Sequence, residues 1–118
     1  MILLCDFESF FLNELKGFPV KQFKPPSGFT TTEHVGVALA ISRVASSTEL
    51  SERASQTYGA WLGFYKGLLR KMRWQPFQLV QCANELAKLI GCGEQPALQR
   101  RTVGKMGLKG CPGLRIIG

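Results

Sequence analysis

The sequence lacks the residue patterns of most catalytic and metal-binding sites. It has one histidine, His34, and four cysteines, and no two of the cysteines form a C-x-x-C pair. The spacing of these residues therefore does not suit zinc. There is no G-x-x-x-x-G-K-[ST] loop, and no recognisable pairing of a nucleophile with a base. No apolar run is long enough to cross a membrane, and the start "MILLCDFE" lacks the basic leader and the longer apolar run expected of a signal peptide. We therefore expect no metal, cofactor or membrane partner for this chain, and an intracellular, reducing location.

Acidic residues are scarce in the second half of the chain. Residues 1–59 hold five Lys or Arg and six Asp or Glu, so their net charge is −1. Residues 60–118 hold ten Lys or Arg and two Glu, so their net charge is +8. A polyanion would be attracted to the second half, because neutralising phosphates there releases condensed counterions. Solubility could also explain a positive total, but it does not require that the charges be segregated.

The first 29 residues predict a short strand, a helix and a linker. Residues 2–5 are apolar and predict a buried strand. Asp6 can cap the following helix through its carboxylate, and Gly17 can end that helix in a left-handed conformation. Residues 18–29 contain three prolines and a glycine, which exclude a helix and favour an extended linker.

Three helices are predicted in the middle of the chain, so the fold class is expected to be mainly α. The first begins near Thr30 to Thr32 and runs through Val44. The second, from Ser51 to about Met72, has apolar residues at helical spacing. These are Ala54, Tyr58, Trp61, Leu62, Tyr65, Leu69 and Met72. The third begins at Pro76, ends near Gly91 and, because the connection is short, should pack antiparallel to the second.

The end of the chain is basic and rich in glycine. Pro96 could start a short helix through Thr102 or Val103, after which glycines and prolines should exclude regular structure. Four apolar residues in this tail could attach it to the helical bundle: Leu108, Leu114, Ile116 and Ile117.

Basic residues of the second half are the candidates for contact with a nucleic acid. Phosphate contacts from Lys and Arg in glycine-interrupted loops position a chain without reading its sequence. Trp74 could stack on a base or ribose, or could instead form a hydrophobic lid over a helix corner. The helix dipole offers a simpler explanation for the cations at the end of the long helix. The candidates are Lys66, Arg70, Lys71, Arg73, Trp74, Arg100, Arg101, Lys105, Lys109 and Arg115.

Three stretches of the sequence resemble the end of one family of proteins. They are "ILLCDFESFFLNELKGFPV", "YGAWLGFYKG", and "LVQCANELAKLIG" followed by "PAL" and "VGKMGLKGCPGLR". Together they are similar to the last part of a DEAD-box ATP-dependent RNA helicase, of the type with a helical C-terminal extension found in fungal mitochondria and in plants.

The resemblance implies a division of the chain into three parts. Residues 1–23 would end the second RecA-like helicase domain, residues 24–30 would be a linker, and residues 31–118 would be the helical extension. The ATP-binding loop, the D-E-A-D box and the arginine-rich motif would lie upstream, so ATP and magnesium would belong to the parent helicase. The chain would then be a fragment, inactive as an enzyme alone, located in an organelle or the nucleus.

The partners implied by the resemblance are the upstream helicase core and the RNA phosphate backbone, bound without sequence specificity. The basic residues that coincide with the extension's motifs are Lys66, Arg70, Lys105, Lys109 and Arg115. Which of them touches RNA is left open. An alternative is a free-standing helical adaptor that binds protein through an apolar groove, with a solvated basic face. A free-standing enzyme is a third class, which ATPase activity of the chain would support.

Overall fold

The computed structural model describes residues 1–24 and 35–118, and it is mainly α-helical, as expected from the sequence. A 3-10 helix spans Asp6–Leu15. Five α-helices, α1 to α5, span Val35–Ser42, Thr48–Lys66, Leu69–Met72, Pro76–Leu89 and Arg100–Lys105. Two short strands, β1 and β2, span Ala97–Gln99 and Arg115–Ile117.

Helices α2 and α4 form the centre of the molecule. The end of α4 lies beside the start of α2, since a Cβ added to Gly93 would be 3.2 Å from the Cβ of Ala45. The two helices therefore run antiparallel, and the apolar face predicted for α4 packs on α2. The buried core consists of Tyr58, Leu62, Met72, Leu79, Val80, Ala83, Ala87, Leu98, Val103 and Leu108.

The long helix predicted from Ser51 to Met72 is two helices. Helix α2 begins after Ser47, whose hydroxyl accepts a hydrogen bond from the amide of Leu50 at 3.4 Å. It ends at Lys66, and the next residue, Gly67, is its C-cap. The prediction of one continuous helix is wrong because glycine is the weakest helix former after proline. The chain turns there and continues as the short helix α3.

Helix α1 lies at the edge of the molecule, and none of its residues is buried. Its predicted start at Thr30 to Thr32 lies outside the described residues, and it ends at Ser42 instead of Val44. Ile41 is partly covered by the turn after α4, where Gly91 has φ +91°. A Cβ at Gly91 would collide with the carbonyl oxygen of Ile41. In the described part of the chain, no helix combines the length and the hydrophobicity that a membrane span needs.

The strand predicted at residues 2–5 is absent. These residues are exposed and have no hydrogen-bonded neighbour strand among the described residues, and a strand requires such a neighbour. Asp6 is not the cap of the following helix; the Glu8 carboxylate instead accepts from the Cys5 amide at 2.8 Å. Gly17 has φ +90°, the left-handed conformation expected just after this helix.

The tail has more regular structure than its glycine content predicts. Residues 97–99 form β1 instead of helix, and α5 begins four residues after Pro96. Strand β2 pairs with β1 in parallel, with Leu98 opposite Ile116. The expected absence of regular structure after Val103 is therefore wrong, because pairing between distant segments leaves no local pattern. Of the four residues expected to attach the tail, Leu108 is buried, Leu114 is partly buried, and Ile116 and Ile117 are exposed.

Two glycines on α2 allow the tail to cross that helix closely. A Cβ added to Gly59 would be 3.7 Å from Leu98 Cδ2, and one added to Gly63 would be 3.9 Å from Met106 Sδ. The two glycines are one helical turn apart and so share a face. This face of α2 places α5 and the loop that follows it alongside the C-terminal half of α2.

Candidate nucleic-acid interface

Four of the candidate cations lie on α5 and the loop after it. Arg100, Arg101, Lys105 and Lys109 are all exposed. Their backbone is fixed by two buried neighbours, Val103 within α5 and Leu108 just before Lys109. A helix rises about 1.5 Å per residue, so the cations of α5 are spread along less than about 10 Å. That length is comparable to the length of backbone that a few phosphates of a nucleic acid occupy.

Lys66 joins this group from a different element. It is the last residue of α2, and it is partly buried. A Cβ added to Gly107 would be 3.8 Å from Lys66 Cε and 3.9 Å from its Nζ, so the lysine side chain runs beside the loop after α5. We call Lys66, Arg100, Arg101, Lys105 and Lys109 the tail patch.

The other candidate cations lie on and after α3, beside the N-terminal 3-10 helix. Arg70, Lys71 and Arg73 are exposed, and we call them the α3 patch. Lys71 Nζ is 5.9 Å from the ring centroid of Phe10, within the range of a cation–π contact. The α3 patch is thus next to the segment that the resemblance assigns to the RecA-like domain. The sequence presents these cations as one group. In the structure they lie in two patches on different elements.

Arg115 differs from the other candidates because it forms an ion pair. Its guanidinium donates to the Glu94 carboxylate at 2.8 Å and to the Gln95 carbonyl at 3.3 Å. In the described ranges this is the one ion pair, so the tail patch and the α3 patch have no carboxylate within 4.0 Å. Glu94 thus offsets the charge of Arg115, whereas the charges of both patches are available to an anion.

The aromatic side chains at the corner between α2 and α3 pack around Phe7. The ring of Trp74 is 4.9 Å from that of Phe7, and the rings of Tyr65 and Trp61 are 5.2 and 6.1 Å from it. The Trp74 contact is the one expected of a hydrophobic lid, and its stacking on RNA remains a prediction. Trp61, expected in the core, is half-buried; Tyr58 is the fully buried aromatic of α2.

An exposed aromatic of α2 was not among the candidates predicted from the sequence. Phe64 is 64% exposed, and the edge of its ring contacts Tyr65 at 4.9 Å between centroids. It lies two positions before Lys66 and outside the apolar stripe of α2. An aromatic residue off the apolar stripe was the available signal, because packing of the buried helix face does not account for it.

Glu8 and Tyr65 form a hydrogen bond that links the N-terminal helix to α2. The Tyr65 hydroxyl donates to Glu8 Oε1 at 2.5 Å. This bond, together with the bond from the Cys5 amide, holds the pKa of Glu8 below its usual value. Burial, and secondarily the nearby Glu8 carboxylate, raises the pKa of Tyr65. Both groups therefore keep at neutral pH the protonation states that the hydrogen bond requires.

The whole chain is similar in sequence to part of several known proteins. It is 34% identical over 116 residues to the mitochondrial ATP-dependent RNA helicase MSS116 of Phaeosphaeria nodorum, covering 98% of this chain and 20% of that helicase. It is 36% identical over 118 residues to mitochondrial mss116 of Aspergillus oryzae, covering 96% of this chain and 18% of that protein. It is 32% identical over 117 residues to DEAD-box ATP-dependent RNA helicase 25 of Arabidopsis thaliana, covering 98% and 19%.

The chain matches a C-terminal part of DEAD-box ATP-dependent RNA helicases. The resemblance seen in the three sequence stretches is therefore confirmed. The chain spans about a fifth of the length of the helicases it matches. No protein family model matches it, and no solved structure does.

Proposed function

We propose that this helicase segment is an auxiliary RNA-binding module that contacts the phosphate backbone without sequence specificity. The observation that supports this most is the tail patch, five cations on adjoining elements with no carboxylate partner among the described residues. An RNA backbone would neutralise these charges and release its counterions. Contacts from lysines and arginines to phosphate oxygens carry no sequence information, so binding through them should tolerate many sequences.

The partner in the same polypeptide would be the helicase core. Residues 1–23 would belong to its second RecA-like domain, residues 24–30 would be the linker, and residues 31–118 the extension. Phe7 packs against Trp61, Tyr65 and Trp74. This packing supports the arrangement, because it joins residues 1–23 to residues 31–118. ATP and magnesium would act in the core. The fungal relatives are mitochondrial helicases, which supports an organelle as the site of action.

A charge-matched pair of double variants tests the proposed RNA binding. The full chain is titrated with a labelled single-stranded RNA and with a duplex RNA at ~50 and ~200 mM salt. Lys105→Ala with Lys109→Ala should lower RNA affinity about tenfold with helicity intact, because two phosphate contacts are lost. The control, Lys16→Ala with Lys21→Ala, removes the same charge from exposed positions outside both patches. Equal losses in the two double variants would indicate only a general effect of net charge.

A protein-binding adaptor is the second candidate function, and α1 favours it. Val35, Val37 and Leu39 of this apolar helix are exposed. Such residues suit contact with a protein. If RNA binding by the unaltered chain is absent, or does not weaken as salt rises, the adaptor function is the better account and the RNA-binding proposal fails.

A further inference from the structure

Hydrogen bonds from two amide side chains converge on one backbone carbonyl of the tail. Asn84 Nδ2, from α4, donates to the Gly113 carbonyl oxygen at 2.9 Å. Gln95 Nε2, from the loop after α4, donates to the same oxygen at 2.7 Å. Both lone pairs of that carbonyl are thus used, by residues that precede it by 29 and 18 positions.

A buried hydroxyl completes the network and fixes the two amides. Tyr58 is fully buried, and its hydroxyl donates to Asn84 Oδ1 at 2.7 Å. It also accepts from Gln95 Nε2 at 3.3 Å. Because the Tyr58 donor orients the Asn84 amide with its oxygen toward the tyrosine, the amide nitrogen faces Gly113. We call Tyr58, Asn84 and Gln95 the amide clamp.

The clamp holds Gly113 of the tail, a position that favours glycine over other amino acids. Gly113 has φ +89°, a conformation that favours glycine. A Cβ there would lie 3.3 Å from Val80 Cγ1 and 3.5 Å from Asn84 Nδ2. Glycine at this position therefore allows the backbone to approach α4 closely enough for its carbonyl to meet both amides.

The clamp and the buried Leu108 anchor the loop that carries Lys109 from both sides. Leu108 is 1% exposed, and its amide donates to the Val103 carbonyl at 3.1 Å. Gly113 follows Lys109 by four residues. The loop between the two anchors is short, so fixing both ends restricts where the lysine charge can be. Neither anchor contributes a positive charge itself.

We propose that Asn84 and Gln95 are positioning residues for RNA binding. They would act through the Gly113 carbonyl to hold the loop of the tail patch in the arrangement that contacts phosphates. The inference rests on the proposed RNA-binding function. It adds to that function two uncharged residues that do not touch the RNA. Charge alone does not identify such residues.

Gln95→Met is the neutral variant that tests this role. It removes one donor to Gly113 and leaves the Tyr58 hydroxyl bonded to Asn84, so no buried donor loses its acceptor. RNA affinity should fall about fivefold, the effect of one hydrogen bond of ordinary strength. The slope of log affinity against log salt should become shallower as phosphate contacts are lost. Trypsin should cleave after Lys105 and Lys109 at least about threefold faster. Gln81→Met, at an exposed position of α4, is the control and should change none of these.

Asn84→Asp is the second variant, and it tests the positioning role if Gln95→Met fails to fold. The carboxylate keeps an acceptor for Tyr58 but has no donor for Gly113, so the same three measurements should change. Gln81→Glu, which adds a like charge on α4, controls for the new negative charge. One outcome is that the unaltered chain binds RNA, while clamp variants with native circular dichroism match their controls in all three measurements. In that case the positioning role is overturned and the proposed function stands. If the unaltered chain does not bind RNA, both are overturned.

Discussion

The N-terminal helix and the tail are attached to the same pair of central helices by different means. The N-terminal helix packs through the ring of Phe7 and one hydrogen bond to a carboxylate, and none of its residues is fully buried. The tail buries Leu98, Val103 and Leu108 and has the amide clamp. Burial of apolar side chains resists both salt and changes of pH better than a charged contact near the surface does. We therefore expect the N-terminal attachment to be released first when conditions change.

The largest expected effect comes from removing the main apolar anchor of the tail. Leu108→Ala should lower the free energy of unfolding by about 2–5 kcal/mol, because it leaves a cavity at a fully buried site. Urea denaturation followed by far-UV circular dichroism measures this. The matched control is Leu89→Ala on α4, where the side chain is 67% exposed, and it should change stability by less than about 0.5 kcal/mol. Similar effects of the two substitutions would mean that the tail is not held by burial.

A smaller effect is expected from the corresponding change at the N-terminal attachment. Phe7→Ala should cost about 2 kcal/mol, since three aromatic contacts are lost at a site that is only half-buried. Hydrogen exchange should show that the amides of residues 6–15 lose protection while those of residues 97–117 keep it. Phe18→Ala, at an exposed position, is the control. Loss of protection in both regions would contradict two independent attachments.

Acid should weaken the N-terminal attachment and leave the tail in place. The folded state lowers the pKa of Glu8, so its contribution is present above the ordinary glutamate pKa and is lost as pH falls through the folded value. The contribution should be below about 1 kcal/mol because Glu8 is near the surface. Tryptophan fluorescence, which reports on Trp61 and Trp74 beside Phe7, can follow the transition. Glu8→Gln should remove the pH dependence, and a transition that persists in that variant would assign it to another group.

The smallest effect on stability is expected at the exposed aromatic of α2. Phe64→Ala should change the free energy of unfolding by less than about 0.5 kcal/mol, because the ring is largely in solvent. If the ring stacks on RNA, RNA affinity should nevertheless fall at least about fivefold. Trp74→Ala should instead cause a clear loss of stability from the Phe7 contact, and its effect on RNA affinity tests the predicted stacking of Trp74. Fluorescence anisotropy and thermal denaturation of both variants separate the two roles.

Much of the helical part could be predicted because its signals are local. Helix α4 was predicted from Pro76 to about Gly91 and spans Pro76–Leu89, since a proline at the start and an apolar face are both visible in the sequence. Periodicity extends the long helix to about Met72 because the apolar stripe continues past Gly67, and only the structure shows that α2 ends just before this glycine, which interrupts the helix in the sequence. The strand predicted at residues 2–5 was wrong because apolar character does not supply a pairing partner.

The candidate site was predicted less completely than the fold. Charge counts identified all the cations of both patches, but not their separation, since that depends on where α3 and α5 lie. The pairing of Arg115 with Glu94 joins residues 21 positions apart and could not be foreseen. Phe64 lies outside the apolar stripe, and helical periodicity assigns no role to an aromatic residue there. Asn84 and Gln95 gave no signal at all, because an amide side chain is common on any helix or loop.

The sequence by itself determined that the chain folds as a mainly α protein, that its positive charge lies in the second half, and that it resembles the end of a helicase. Composition and local spacing are enough for the first two, and the resemblance of three motifs is enough for the third, because each depends on residues close together in the chain. Only the tertiary structure decided how the cations divide into two patches, which aromatics are exposed, and how the tail is held. Those features depend on contacts such as Tyr58 with Asn84 and Asn84 with Gly113, which exist only after distant segments have packed.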